Sequence, residues 1–173
     1  MTDPTRPRRP RGSRNAPATS TLEALVCDAY CAVEELRDEI TEWQENLECN
    51  GMEHLPKYED VSETALLLDQ AVGELDTLND LVGDLPDEIQ NQKLDYTYDS
   101  RRKAWARWGR LSNGQVMAQV ALEAGREALA AAQERADEAE TDLPDQMEEL
   151  EGALDAWEEG ITTTEDVCFP GMY

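Results

Sequence analysis

The first third of the chain carries an unbroken heptad pattern of apolar residues. The steps between them alternate between three and four, over Leu22, Val26, Ala29, Val33, Leu36, Ile40, Trp43 and Leu47. This spacing places all eight side chains on one stripe of a helix. Another helix must cover such a stripe, either from the same chain or from a second copy. The sequence therefore predicts a protein that is built by helix association.

The rest of the chain favours the same fold class, all-α. Residues 21–50, 61–72 and 115–143 contain almost no Pro or Gly, and long stretches without these residues are typical of helices rather than short strands. We expect an antiparallel helical hairpin plus two further helices, arranged as a four-helix bundle or as an elongated coiled-coil-like assembly. Because only 6% of the residues are aromatic, the core should be thin and elongated.

Breaker residues and charge divide the chain into five parts. Residues 1–18 read as a disordered arm rich in Arg and Pro, in which proline interrupts helix formation and like charges repel. The predicted parts that follow are an acidic helical hairpin (19–83), a connector with a basic–aromatic segment (84–110), the C-terminal helices (111–162) and a tail (163–173).

Local signals place the ends of the first two helices. The S-x-x-E spacing from Ser20 to Glu23 predicts a capping box at the start of the first helix. That helix should end near Glu48, with Asn50–Gly51 as its stop. A second helix should span residues 60–82 and end at Gly83. The short connection between them predicts an antiparallel pair.

The two C-terminal helices are predicted from composition and from a second apolar stripe. The third helix includes at least residues 115–140, which are rich in Ala. The fourth starts near Pro144, whose fixed φ suits a first helical turn, and should end at Gly160 and the Thr162–Thr164 run. The sequence Asp-Leu-Pro-Asp occurs at 84–87 and again at 142–145, and we interpret both as corners at helix starts.

The net charge of −24 is distributed in four blocks of alternating sign. Residues 1–20 carry +4, residues 21–100 carry −19, residues 101–133 carry +4 and residues 134–173 carry −13. Such asymmetry informs on partners and solubility rather than on fold. The simplest interpretation of the acidity is solvated helix faces in an acidic proteome. The alternative is a rod that mimics nucleic acid and inhibits nucleic-acid-binding proteins.

Two basic segments are the candidate contact surfaces for a partner or for nucleic acid. Cations and aromatic rings alternate between Tyr96 and Arg110, and this mixture can follow a phosphate backbone while the rings stack on bases. The same residues can equally dock on acidic helices of this chain, of a second copy or of another protein. The candidate residues are Arg6, Arg8, Arg9, Arg11, Arg14, Arg101, Arg102, Lys103, Trp105, Arg107, Trp108 and Arg110.

The sequence offers no arrangement typical of an enzyme or a cofactor site. Cys27, Cys31, Cys49 and His54 have the identities of metal ligands, but a continuous first helix would hold Cys49 about 27 Å from Cys31. Phosphate-binding glycine loops, EF-hand loops and nucleophile-elbow motifs are absent. We expect no catalytic, cofactor-binding or metal-binding residues and no small-molecule substrate.

The expected setting follows from what the chain lacks. The longest wholly apolar run spans only residues 128–132, and no apolar segment follows the basic N-terminus as in a secretory signal. We therefore expect a cytoplasmic protein in a reducing environment, without membrane contact. The function that the sequence favours is a non-enzymatic assembly or protein–protein interaction module, with itself or another protein as partner. The alternative is nucleic-acid association through the two basic segments.

Overall fold

The computed structural model describes residues 15–100 and 106–171, and helices dominate them. Helix accounts for 74% of the described residues and strand for 9%. The prediction of a mostly helical, all-α protein is confirmed at this coarse level, and a small two-stranded sheet that the sequence did not predict accompanies the helices. The elements in chain order are β1 (Asn15–Thr21), α1 (Leu22–Cys49), α2 (Pro56–Val82), α3 (Asp87–Gln90), β2 (Lys93–Asp99), α4 (Arg107–Glu138) and α5 (Asp145–Glu165).

The four long helices pack in a closed ring in which each contacts two neighbours. Helix α1 packs against α2 and α4, and α5 packs against the same two helices from the other side. Neighbours run antiparallel. Tyr58 near the start of α2 donates a hydrogen bond to Glu48 near the end of α1. Arg107 at the start of α4 meets Glu39 of α1, whereas Gly114 further along α4 meets Ala32 earlier in α1, so α4 also runs antiparallel to α1. Because α2 and α4 are therefore parallel, the chain between them must return along the helices, and β2 forms part of this path.

The heptad stripe of α1 lies in the core. Seven of its eight residues are buried, and Trp43 is half-buried. Helices α2 and α4 of the same chain supply the cover, so the stripe is satisfied without a second copy. Each long helix keeps a polar outer face. Within the described ranges, none of the helices combines the length and the apolar character that a bilayer span requires.

Glycine allows close approach at three of the helix–helix contacts. A Cβ atom on Gly160 of α5 would lie 2.9 Å from Cγ of Leu75 in α2. One on Gly125 of α4 would lie 2.5 Å from Cδ2 of Leu154 in α5. Gly114 of α4 lies against Ala32 of α1, where the added Cβ would be 3.2 Å from the alanine Cβ. These glycines set the distances between the helix axes.

For α1 and α2, both predicted C-terminal ends are right and both predicted starts are displaced. Asn50 caps the end of α1, Gly51 follows with φ +66°, and Gly83 caps the end of α2. The N-cap of α1 is Thr21 rather than Ser20, and its hydroxyl accepts a hydrogen bond from the amide of Ala24 at 3.2 Å. The displacement arises because the backbone up to Thr21 is extended in β1. Helix α2 begins four residues early, at Pro56, because proline suits a first helical position.

The predicted end of α5 is wrong. The helix passes through Gly160 and the threonine run and ends at Glu165. Gly160 is needed for the close contact with α2 and does not act as a stop. The hydroxyl of Thr163 donates to the carbonyl of Glu159 at 3.0 Å, inside the helix. Such local hydrogen bonds allow threonine to continue a helix that tertiary packing stabilises.

The sheet occupies residues that were assigned to the arm and to the connector. Strands β1 and β2 pair antiparallel, with Asn15 opposite Asp99 and Thr21 opposite Lys93. Residues 15–18 therefore belong to a strand and not to a disordered arm, whereas residues 1–14 lie outside the described part of the chain. The alternation of Leu94, Tyr96 and Tyr98 with polar residues is the period-two signal of a half-buried strand.

The two Asp-Leu-Pro-Asp corners have the same geometry and meet at one end of the helices. Pro86 and Pro144 immediately precede α3 and α5, with φ and ψ near −55° and +140° at both. Both prolines line one cavity of about 520 Å³ together with Ile89 and Met147. The interpretation of both motifs as corners at helix starts is confirmed.

Candidate functional site at the basic end of the helices

Three of the twelve predicted contact residues lie in the described part of the chain. They are Arg107, Trp108 and Arg110, and all occupy the first turns of α4. The remaining nine lie outside the described residues, namely Arg6, Arg8, Arg9, Arg11, Arg14, Arg101, Arg102, Lys103 and Trp105. We call the end of the molecule formed by the start of α4, the end of α1 and the start of α2 the basic end.

The two described arginines bind one carboxylate of α1. Nε of Arg107 donates to Oε1 of Glu39 at 2.8 Å, and a terminal nitrogen of Arg110 donates to Oε2. Partial burial raises the pKa of Glu39, but the hydrogen bonds and charges of the two arginines outweigh this, so that its pKa is lowered overall. Glu39 is therefore ionised near neutral pH and attaches the start of α4 to α1.

Trp43 is the aromatic residue on which the cations converge. Nζ of Lys57 lies 4.8 Å from the centroid of the Trp43 ring, and Cζ of Arg107 lies 4.9 Å from it. Contacts of this kind contribute about 0.5–1 kcal/mol each at exposed sites. Trp43 therefore belongs to the heptad stripe and also contacts two cations. It is half-buried because one part of its ring faces Lys57 and Arg107 rather than the core.

Asn113 fixes the point at which the basic–aromatic segment leaves the sheet. Its Oδ1 accepts the backbone N–H of Asp99 at 2.9 Å, and its Nδ2 donates to the carbonyl of Asp99 at 3.3 Å. The amide thus imitates a neighbouring strand at the free edge of β2 and blocks pairing with another chain there. Sequence reasoning missed Asn113 because no local pattern marks a residue of α4 as the partner of a strand end.

Exposed apolar side chains accompany the cations at the basic end. Trp108 is 51% exposed, and Met52 and Leu55 in the α1–α2 connection are 40% and 37% exposed. The nearby positive charges belong to Lys57, Arg107 and Arg110. Aromatic residues, methionine and arginine are enriched in the contact residues of protein interfaces. The fold thus brings the α1–α2 connection and the start of α4 to one end of the molecule, although about fifty positions separate them in the sequence.

Acidic residues dominate the sides of the helices away from the basic end. The outer face of α5 carries Asp155 and Glu158, and both contact Arg126 of α4, the former at 3.3 Å. Neighbouring turns of α5 add further exposed carboxylates, and Arg135 is the single basic residue among positions 134–173. The described cations Lys57, Arg107 and Arg110 therefore cluster at one end of a helical body that is acidic elsewhere, and they lie among the carboxylates of Glu39, Glu42, Glu45 and Glu48 on α1.

The cysteine and histidine candidates do not converge. Sγ of Cys27 and Sγ of Cys31 are 4.0 Å apart on one face of α1, whereas Cys49 is the last residue of that helix. His54 follows in the α1–α2 connection. Within residues 15–100 and 106–171, no group of three or more His, Cys, Asp or Glu residues is placed to hold a metal ion.

No protein-family model, curated protein or solved structure matches this chain. At the basic end, the guanidinium groups of Arg107 and Arg110 both bind Glu39, and Trp108 between them in the sequence is half-exposed.

Proposed function

We propose that this protein is a non-enzymatic interaction module that self-associates. In this proposal the ring of four helices is a four-helix bundle that folds as a single chain. The cations of its basic end, together with Arg101, Arg102 and Lys103 that follow β2 in the sequence, dock on the acidic side of a second copy. Charge, rather than the heptad stripe, then selects the partner and its orientation.

The observation that carries the proposal is the contact of Arg107 and Arg110 with Glu39. Within one chain, the basic end already binds a carboxylate on a helix beside an aromatic ring. The acidic sides of α1, α2 and α5 carry many further carboxylates on helices. A second copy therefore offers the same chemistry to the cations that follow Asp99 in the sequence.

The burial of the heptad stripe supports a surface of this kind over a coiled-coil seam. Because α2 and α4 cover the stripe, an exposed apolar seam is not left to drive association. Contacts between exposed charges are screened over about 8–10 Å at physiological ionic strength. Self-association through the basic end should therefore weaken as salt is added.

The test is molar mass by light scattering at low and high salt. We expect the wild type to associate at low salt and to approach the monomer mass at high salt. Replacing Arg101, Arg102 and Lys103 together by Ser should give a monomer at both. The matched control replaces Lys93 by Ser in β2, outside the basic end, and should associate like the wild type. A wild-type monomer at low salt contradicts the proposal.

A second candidate function is binding of single-stranded nucleic acid at the same end. The half-exposed Trp108 beside Arg107 and Arg110 favours it, because base stacking on aromatic rings and phosphate contacts are combined in such sites. Binding of a labelled oligonucleotide should fall log-linearly with salt. Glu39→Gln should tighten it, since the carboxylate that competes for the two arginines loses its charge. Absence of binding at low salt rejects this function.

A further inference from the structure

The two thiols on the outer face of α1 are spaced for a single soft metal ion. Cys27 and Cys31 occupy positions i and i+4 of an uninterrupted helix, and their sulfur atoms are 4.0 Å apart. Cys27 is exposed and Cys31 is partly exposed, so the pair is open to solvent. Neither residue belongs to the heptad stripe or to the basic end.

A disulfide between the two cysteines does not fit the helix. Positions i and i+4 hold their Cβ atoms about 5–6 Å apart, whereas a disulfide needs about 3.5–4.5 Å and an S–S bond of about 2.05 Å. Oxidation of the pair would therefore distort the second and third turns of α1, whose other face is buried against α2 and α4. The native helix keeps the pair as two thiols.

A metal ion fits between the sulfurs without such a movement. An ion about 2.3 Å from each sulfur, the usual metal–thiolate distance, would make an S–metal–S angle of about 120° at the observed separation of 4.0 Å. That angle suits a trigonal or tetrahedral soft cation whose remaining ligands come from solvent. Partial burial, the contact with Cys27 and the negative charges of Glu34 and Asp28 raise the pKa of the Cys31 thiol, so a metal ion must displace a proton that is held more tightly than usual. The same two carboxylates attract a cation.

We propose that Cys27 and Cys31 form a dithiolate site for one soft, thiophilic metal ion. Thiolate ligands select cations such as Cu(I) and Cd(II) over the hard cations Mg²⁺ and Ca²⁺. On binding, two metal–sulfur bonds form and the two S–H protons pass to solvent, so no change of oxidation state is required. The site is independent of the proposed self-association, which uses the cations of the basic end.

The experiment titrates the reduced full chain with Cd(II) in excess Mg²⁺, which occupies the carboxylates. Binding at the pair should appear as an ultraviolet thiolate-to-metal absorption band that saturates at one ion per chain. It should also protect both thiols from alkylation, as read by peptide mass spectrometry. Cys27→Ser and Cys31→Ser should each weaken this binding by about 100-fold or more, because the second thiolate acts at high effective concentration.

Matched variants separate the pair from ordinary surface thiols. Cys49→Ser and Cys168→Ser each remove an exposed thiol elsewhere and should leave the saturating band unchanged. The proposal is overturned if Cys27→Ser keeps the wild-type affinity. It is also overturned if Cys49→Ser weakens binding as much as Cys31→Ser. Circular dichroism of each variant shows that the helices are retained.

Discussion

The interior around α5 and the basic end are two regions in which long helices contact each other, but different interactions stabilise them. In the interior, Trp157 is fully buried and Gly160 lies directly against Leu75, so the fit depends on the shapes of uncharged groups. At the basic end, Arg107 and Arg110 meet the partly exposed Glu39, so the fit depends on charge. The first kind of contact should be indifferent to salt and pH, and the second should respond to both.

The largest expected effect is the loss of Trp157. Trp157→Ala should lower the free energy of unfolding by about 3–5 kcal/mol, because it leaves a cavity and removes the hydrogen bond to the carbonyl of Ala118. The loss should be the same at low and high salt in urea unfolding. Met52→Ala in the α1–α2 connection at the basic end is the control and should change stability by less than about 1 kcal/mol, because Met52 is 40% exposed. Similar losses in the two variants would break the contrast.

A second effect compares two glycines of one helix. Gly160→Ala should destabilise by about 1–3 kcal/mol, because the new Cβ would lie 2.9 Å from Cγ of Leu75. Gly152→Ala, where nothing lies within 4 Å of the new atom, should stabilise by about 0.5–1 kcal/mol through helix propensity. Thermal unfolding of both variants measures the difference. Stabilisation by Gly160→Ala would mean that shape does not limit this contact.

A smaller effect is expected from removing the charge of Glu39. Glu39→Gln should cost about 1 kcal/mol at low salt, since its ion pairs are partly exposed, and less at high salt. Glu42→Gln, one turn further along α1 and exposed, should be nearly neutral under both conditions. Urea unfolding at two ionic strengths gives the four values. If Glu39→Gln lowers the free energy of unfolding equally at both ionic strengths, packing rather than charge stabilises this contact.

The smallest effect is the pH dependence of the same contact. Because the pKa of Glu39 is lowered on folding, its ionised form contributes stability above the ordinary glutamate pKa of about 4.3. That contribution is lost as the pH falls through the lowered pKa. The stability difference between wild type and Glu39→Gln should therefore be constant near neutral pH and shrink below about pH 4. A difference that persists in acid would argue against the ion pairs as its origin.

The apolar pattern predicted the helices because burial follows periodicity directly. The stripe from Leu22 to Leu47 is buried as expected, except where Trp43 meets Lys57 and Arg107. Periodicity does not identify the helix that covers a stripe. It left open cover by the same chain or by a second copy, and the structure supplies the cover from α2 and α4 of the same chain.

The sequence misplaced the end of α5 and missed the two strands because both depend on contacts between residues far apart in the chain. Gly160 read as a helix stop because glycine has low helix propensity, but Leu75, far away in the sequence, makes a small residue necessary there. The two strands were missed because each is short and is defined by the other. The alternation in β2 was visible, but nothing local shows that residues 15–21 lie beside it.

The candidate site was predicted in composition and not in geometry. The cations and rings between Tyr96 and Arg110 were identified, and docking on this chain's own acidic helices was one of the interpretations. The choice of Glu39 among 39 acidic residues required the packing of α4 on α1. The anchor at Asn113 likewise depends on where β2 ends relative to α4.

The pairing of β1 with β2 also sets an order of events when the chain folds. Thr19 donates a hydrogen bond to Asp95, 76 positions further along, and closing so long a loop in an unfolded chain is entropically costly. The hairpin of α1 and α2 involves nearer partners and shortens that loop once it forms. We therefore expect the strands to join late, after the hairpin. Since Asp99 ends β2, its two hydrogen bonds with Asn113 should be among the last contacts of the molecule to form.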